Sequence, residues 1–283
     1  MPICSYPQRI VVELTPRCDL SCAMCPRHYI SETNGTMREK LWRKIIDEVA
    51  NVSPQAIVLP FWRGESLLHP DFIFLLEYAL EKNIRIHIAT NGIQVKEETL
   101  GLLLKCEFVT FSIHTLKAYV HAQELLVLRK GGKPVIQVSF VREEKRTENL
   151  LKQIVHSKDL KGFDSARIYE PHSKNGVFGK AARSELTPRT FCLKLKNTLV
   201  IAHDGSISRC NHIWLTEKSI NINDVSIKDA WESAYMRSIR NGYPDAQCQS
   251  CDQWIGHTTG EAYSMDEGKV VHKIYSSSAV RNA

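Results

Sequence analysis

Three cysteines, Cys18, Cys22 and Cys25, lie between Thr15 and Pro26 at Cys-x3-Cys-x2-Cys spacing. They follow an apolar run from Ile10 to Leu14 that reads as a strand. The loop after that strand must therefore hold three thiols close in sequence. Thiolates are soft ligands suited to iron–sulfur clusters and to zinc. A 4Fe-4S cluster has four irons, so three cysteines leave one iron open to chelate a small molecule. Zinc normally takes four ligands, and His28 is the nearest substitute for a missing fourth cysteine. Three unrelated buried thiols are the remaining alternative. The position after a strand and the pattern of the later chain favour the cluster.

Downstream, strands and helices alternate. Residues 37–53 predict a helix with Leu41, Ile45, Ile46 and Val49 on one face, ended by Pro54. Residues 56–62 read as a strand, 71–82 as a helix and 84–90 as a strand closed by Asn91 and Gly92. A helix at 96–105, a strand at 108–114 and a helix at 116–130 ended by Gly131 and Gly132 follow. Then come a strand at 135–141, a helix capped by Thr147 and a strand at 166–170. Such alternation implies parallel βαβ units. Several strands also alternate by side: His87 lies between Ile86 and Ile88, and Thr110, Ser112 and His114 alternate with Val109, Phe111 and Ile113. Gln137 and Ser139, and then Arg167 and Tyr169, continue the pattern. Strands buried on both faces would be apolar on both. The polar faces are therefore expected to line a wide cavity, against the alternative of strands left partly exposed.

The cysteine loop and this alternation together resemble the radical S-adenosylmethionine family. The resemblance implies an α/β fold, a partial (β/α)6 barrel, with its chemistry at the C-terminal strand ends. It implies that the open iron holds the amino and carboxylate groups of S-adenosylmethionine. Trp62-Arg63-Gly64-Glu65-Ser66 stands where the family has Gly-Gly-Glu-Pro. Gly64 and Glu65 match and would take the amino group; Arg63 and Ser66 depart from the pattern. Asn91 looks like the family's third strand end, and Met24 takes a position beside the adenine, where a thioether packs on the ring. Ser112, Gln137, Ser139 and Tyr169 are expected to contact ribose, adenine or substrate.

Four cysteines mark the last third. Cys192 and Cys210 flank Gly205 as Cys-x12-Gly-x4-Cys, and Cys248-x2-Cys251 closes the set. The turn from Ala202 to Ser206 reads as a hairpin, and 226–240 as a helix with Trp231, Met236 and Ile239 on one face. The pattern is similar to the SPASM-like "twitch" extension of the same family, which implies a second, fully ligated 4Fe-4S cluster in a small α+β domain. A structural Cys4 zinc site is the alternative. The expected division is 1–172 for the barrel and 173–283 for the extension and tail. Cys4 and Cys106 stand outside both sets; Cys106 precedes its strand and so reads as a buried small hydrophobe.

The formal charge of +6 falls to about +3 once both thiolate clusters are counted. That weighs against a nucleic-acid partner. No apolar run is long enough to span a bilayer, and the first residues lack a signal-peptide pattern. A cytoplasmic protein with no membrane partner is expected, and nine cysteines there suggest metal ligation rather than disulfides. The resemblance implies cleavage of S-adenosylmethionine to a 5′-deoxyadenosyl radical that removes a substrate hydrogen. The electron would come from an external one-electron reductant of flavodoxin or ferredoxin type. A compact barrel with one twitch cluster is the layout of the family's 2-deoxy-scyllo-inosamine dehydrogenases, which points to two-electron oxidation of a hydroxyl-bearing small molecule. His114 is the candidate base and Arg167 the candidate orienting group. Peptide cross-linking, epimerisation of a peptide or sugar, and a non-catalytic metal-binding role are the alternatives.

Overall fold

The computed structural model describes residues 5–23, 25–141, 149–150, 154, 162–169, 192–241, 248, 251, 260–266 and 269–275. Met24, Cys4, most of the helix expected after Thr147, residues 170–191 and the side chain of Tyr169 lie outside the described residues. The chain forms two compact units, Met1–Ile86 with Ser173–Trp254 and His87–His172 with Ile255–Ala283. That division differs from a simple N-terminal and C-terminal split.

The first unit begins with β1 (Arg9–Val12), whose last three residues are buried. Helix α1 (Glu39–Val52) buries Leu41, Trp42, Ile45, Ile46 and Val49, a single stripe at helical spacing. Strand β2 (Ile57–Leu59) pairs parallel with β1. Helix α2 (Phe72–Glu81) turns Phe72, Leu75, Leu76 and Ala79 inward. The Trp42 indole N–H donates to the Leu75 carbonyl at 2.7 Å, so the large buried ring keeps its polar atom satisfied. Strand β3 (Arg85–Thr90) starts here, with Arg85 and Ile86 opposite Ile57 and Val58.

The second unit takes up β3 from His87. Helix α3 (Glu97–Leu103), strand β4 (Phe108–Ser112), helix α4 (Leu116–Leu128), strand β5 (Val135–Val141) and strand β6 (Ser165–Tyr169) follow. The pairings β3–β4, β4–β5 and β5–β6 are all parallel. Thr115 caps α4, its hydroxyl accepting from the Ala118 N–H at 3.2 Å.

The chain then returns to the first unit as α5 (Leu193–Asn197), β7 (Thr198–Ile201), β8 (Ser206–Ser208) and β9 (Glu217–Asn221). β7 lies parallel to β1, with Val12 opposite Ile201. β7 and β8 form the hairpin the sequence predicts; α5 and β9 are too short to show a clear periodicity in the sequence. The helix expected over 226–240 is two, α6 (Ile227–Trp231) and α7 (Ala234–Asn241). The reason is a cap: the Ser233 hydroxyl accepts from the Met236 N–H at 3.2 Å and starts a new helix. Arg240 seals the joint, donating to the Trp231 carbonyl at 2.6 Å with its guanidinium 4.0 Å from the indole ring centre. Finally β10 (Gly260–Asp266) and β11 (Lys269–Tyr275) form a hairpin, and β10 pairs antiparallel with β6 in the second unit. The sequence alone does not mark this tail as strands. Among the described residues no helix is long and apolar enough to cross a membrane.

Candidate active site and cluster-binding residues

The cysteine loop leaves β1 at its C-terminal end and is held from both sides. The Met37 N–H returns to the Leu14 carbonyl at 2.8 Å, and the Thr15 hydroxyl donates to the Gly35 carbonyl at 2.6 Å. Cys18, Cys22 and Cys25 are all half-buried, so the loop is tethered while its thiols stay accessible. The Cys25 N–H bonds to the Cys22 carbonyl at 2.9 Å. His28, the zinc alternative, turns its Nε2 to the Cys22 carbonyl at 3.2 Å, an engagement with backbone rather than with a thiol. Burial raises the Cys18 pKa above its usual value, and the Glu65 and Asp19 carboxylates act in the same direction.

Glu65 is buried and caps a short 3₁₀ turn, Ser66–Leu68, accepting from the Leu67 N–H at 3.1 Å. Its own N–H donates to the Arg17 carbonyl at 2.8 Å. The turn can come this near because position 64 has no side chain: a Cβ there would stand 2.3 Å from the Thr15 carbonyl oxygen. Gly64 and Glu65 therefore sit directly against the cysteine loop.

Beside them is a charged group that sequence reasoning missed. Arg63 is 3% exposed and Glu13 is fully buried. Arg63 donates from Nε and Nη2 to the two Glu13 oxygens, both at 2.7 Å, a bidentate pair. Glu13 also accepts from His203 in the β7–β8 turn, at 3.1 Å from Nδ1. Burial alone would raise the Glu13 pKa, but Arg63 and His203 hold it below the usual carboxylate value. The available signal was a lone acid, Glu13, inside an apolar run, together with an arginine where the family has glycine.

The second unit holds the remaining polar candidates. Register places Thr110 opposite Gln137 and Gln137 opposite Ser165. Side-chain hydrogen bonds run along that row, Gln137 to Thr110 at 3.3 Å and Ser165 to Gln137 at 2.9 Å. One layer on, Ser112 faces Ser139 with their hydroxyls 3.4 Å apart, and Ser139 lies opposite Arg167. The polar sides of β4, β5 and β6 thus form connected rows. Gln137 and Ser139 are buried, His114 and Ser112 half-buried, and Arg167 exposed. Asn91 is buried, and its side chain accepts from the Ile93 N–H at 3.0 Å.

The four later cysteines gather in the first unit. Cys192 and Cys210 are buried with Leu195, and Cys248 packs against them. The Cys251 N–H bonds to the Cys248 carbonyl at 3.3 Å. Burial pushes the Cys210 thiol up to about 11, although the His212 N–H and Lys194 pull it down. Lys194, hydrogen-bonded to His212, has its pKa lowered by burial, while the charges of Cys210, Cys192 and Cys251 work to raise it. Among the described residues no three His, Cys, Asp or Glu side chains are drawn tightly enough to hold a single metal ion. Four thiols, two of them buried and a third packed against them, are soft donors that suit an iron–sulfur cluster.

Residues 12–136 match the Radical SAM superfamily, and residues 192–252 match SPASM, an iron–sulfur cluster-binding domain. The chain carries a radical SAM domain and a SPASM domain, on an α/β fold built on a parallel sheet of the partial-barrel kind. Its cofactors are accordingly a 4Fe-4S cluster, S-adenosylmethionine and further iron–sulfur ligation in the SPASM region. Cys18, Cys22 and Cys25 would hold the first cluster, and Cys192, Cys210, Cys248 and Cys251 the second. It is 28% identical to the tungsten-containing aldehyde ferredoxin oxidoreductase cofactor-modifying protein of Pyrococcus furiosus, over 86% of each chain. It is also 28% identical to the mycofactocin maturase MftC of Mycobacterium tuberculosis, over 40% of this chain and 27% of the maturase. Among solved structures, BtrN in complex with AdoMet and 2-DOIA superposes with a TM-score of 0.61 at 17% identity, covering 87% of this chain and 93% of BtrN. SuiB of Streptococcus suis, bound to its precursor peptide SuiA, gives 0.62 at 17% identity, covering 88% of this chain and 70% of SuiB.

Proposed function

We propose that this radical SAM enzyme carries out a two-electron oxidation of a hydroxyl-bearing small molecule. The observation that supports this most is the set of hydrogen-bonded polar rows on β4, β5 and β6, which gathers hydroxyl and amide side chains able to bond hydroxyl groups. The near-complete coverage of BtrN, solved with 2-DOIA, agrees with it. In this reading the bound cluster supplies the electron that cleaves S-adenosylmethionine. The chain's own residues hold the cofactor through Gly64 and Glu65 and orient the substrate through Ser112, Gln137 and Ser139. His114 takes the hydroxyl proton and Arg167 orients the substrate, while Cys192, Cys210, Cys248 and Cys251 would hold a cluster able to take up the second electron. Met24, Asn91 and Tyr169 complete the proposed cofactor contacts. The first domain is taken to run over 1–172 and the extension from 173, and the reductant to be a flavodoxin or ferredoxin.

Epimerisation needs a hydrogen donor, often a thiol. Among the described residues, Cys106 is the one cysteine outside both sets. It is 1% exposed, donates to the Leu102 carbonyl and lies just before β4, away from the strand's C-terminal end. Peptide maturation is the second reading, favoured by the likeness to SuiB and to MftC.

The test uses 2-deoxy-scyllo-inosamine carrying deuterium at the reacting carbinol carbon. Oxidation transfers one deuterium to 5′-deoxyadenosine and leaves a product two hydrogens lighter. Unchanged mass with solvent deuterium at that carbon would mean epimerisation. No transfer from this amino-cyclitol or a panel of polyols, with modification of a precursor peptide instead, would move the assignment to peptide maturation.

A further inference from the structure

Arg63 replaces a glycine of the family's Gly-Gly-Glu-Pro motif, and its contacts reach several parts of the first unit that bear on the cysteine loop. Its bidentate bond to Glu13 fixes the strand end where the loop begins. Its Nη1 donates to Glu32, near the loop's far end, at 3.1 Å. The same nitrogen donates to the Trp214 carbonyl at 3.3 Å, within the SPASM region. The neighbouring Trp62 lies against the guanidinium, 4.3 Å from ring centre to Cζ, and its indole N–H donates to the Asn211 carbonyl at 2.9 Å, next to the cluster ligand Cys210. Two further links run in parallel: His203 to Glu13, and Lys218 to Glu32 at 2.6 Å. Position 35 must be glycine for this, since a Cβ there would meet the His203 ring at 2.2 Å and its φ is +130°. Immediately after Arg63 come Gly64 and Glu65.

We propose that Arg63 is a positioning residue for S-adenosylmethionine: it ties the Glu65 turn and both ends of the cysteine loop to the SPASM region, so that the cofactor's amino-group contact depends on that region. The proposal rests on the reading of Glu65 as the amino-group acceptor. A guanidinium suits the role because its planar fork can serve Glu13 bidentately and still present a third N–H to Glu32. A lysine presents a compact point charge and cannot hold all three directions at once. Removing Arg63 alone would leave Glu13 buried without its principal partner, a strongly destabilising change. The informative variant therefore removes both charges.

The experiment uses the full chain, reconstituted anaerobically, with S-adenosylmethionine itself as the probe. Glu13→Gln/Arg63→Met and Arg63→Lys are compared with wild type in three respects. These are iron content, the change in the reduced first cluster's EPR spectrum on adding S-adenosylmethionine, and the kinetics of cofactor cleavage, resolved into KM and kcat. Both variants should retain about eight irons. Each should raise the KM for S-adenosylmethionine about tenfold, with a smaller change in kcat and a diminished cofactor-dependent EPR change, as expected when a charged hydrogen bond is misplaced. Cofactor-dependent spectra and a KM within about twofold of wild type in Arg63→Lys, or in the double variant with iron intact, overturn the proposal. If the double variant fails to hold iron, Arg63→Lys alone decides. Glu65→Gln separates the two layers: an unchanged KM there overturns the Glu65 reading and the proposal with it. A raised KM there beside unchanged Arg63 variants overturns the proposal alone.

Discussion

Replacing Gly64 with alanine tests the contact between the Glu65 turn and the cysteine loop. The added Cβ would lie 2.3 Å from the Thr15 carbonyl oxygen, 2.4 Å from the Arg17 carbonyl oxygen and 2.6 Å from the Pro16 carbonyl carbon. Ordinary contact begins at 3.4 Å, so the two segments must separate by about 1 Å. All three obstructing atoms are backbone, and no side chain can swing away. The Arg17 oxygen is also the acceptor for the Glu65 N–H at 2.8 Å, so the shift strains the bond that seats Glu65. Overpacking of this kind costs about 1–3 kcal/mol of stability. A displacement of about 1 Å at a reacting site costs about 100-fold in rate. Gly101→Ala is the matched control: position 101 lies inside α3 with nothing within 4 Å of a new Cβ, and the helix should gain about 0.5–1 kcal/mol. Melting temperature and the rate of 5′-deoxyadenosine formation are measured for both. Gly64→Ala should melt lower and form 5′-deoxyadenosine about 100-fold more slowly, while Gly101→Ala melts slightly higher at full rate. Wild-type stability and rate in Gly64→Ala would refute the close approach and the role assigned to this turn.

Replacing Cys18, Cys22 and Cys25 together with alanine should remove about four irons and abolish 5′-deoxyadenosine formation, leaving about four irons on the later set; one zinc found there instead would make the SPASM region a structural zinc fold. Burial pushes the Cys106 thiol up to about 12, and the thiolate is the reactive form. Iodoacetamide at pH 9 should therefore label Cys106 in urea but not in the native protein, as read by peptide mass spectrometry. The same shift means that its contribution to stability is complete below the unfolded thiol pKa of about 8.5 and is lost as pH rises from there toward about 12; Cys106→Ala should flatten that limb of a melting-temperature profile. Glu13 behaves oppositely. Its folded pKa is depressed, so its stabilisation is present above the ordinary glutamate pKa of about 4.3 and is lost as pH falls through the folded value. The acid unfolding midpoint of Glu13→Gln/Arg63→Met, followed by circular dichroism, should respond less steeply to pH in that range.

Local order was readable without coordinates wherever neighbours in sequence supply the signal. The stripe from Leu41 to Val49 lies on one face of α1, and the turn at Gly205 joins β7 to β8, because periodicity and turn chemistry act over a few residues. The cysteine spacings belong to the same category: Cys18 to Cys25, and the set from Cys192 to Cys251, are patterns of residue type and distance along the chain, and the radical SAM and SPASM matches cover them. Helix α6 ended where it did for a reason that is also local, the cap at Ser233, but the apolar stripe from Trp231 to Ile239 masked it.

Choices of partner lay beyond that reach. Glu13 and Arg63 are 50 residues apart and Glu13 and His203 are 190 apart, and neither sequence position carries any mark of the other. A buried acid needs a partner with charge and hydrogen bonds, yet any of the 37 lysines and arginines could have met that need. Only packing of β1 between β2 and β7 brings both to one place. The tail strands are the same case. β10 and β11 pair locally as a hairpin, but whether their edge joins β6 or another strand is a non-local decision. Sequence by itself thus determined most of the alternating strands and helices up to β6 and the two cysteine patterns, through forces that act between near neighbours. The tertiary structure decided which distant charges neutralise one another around the cysteine loop, because desolvating a charge is favourable only once its partner is already in position.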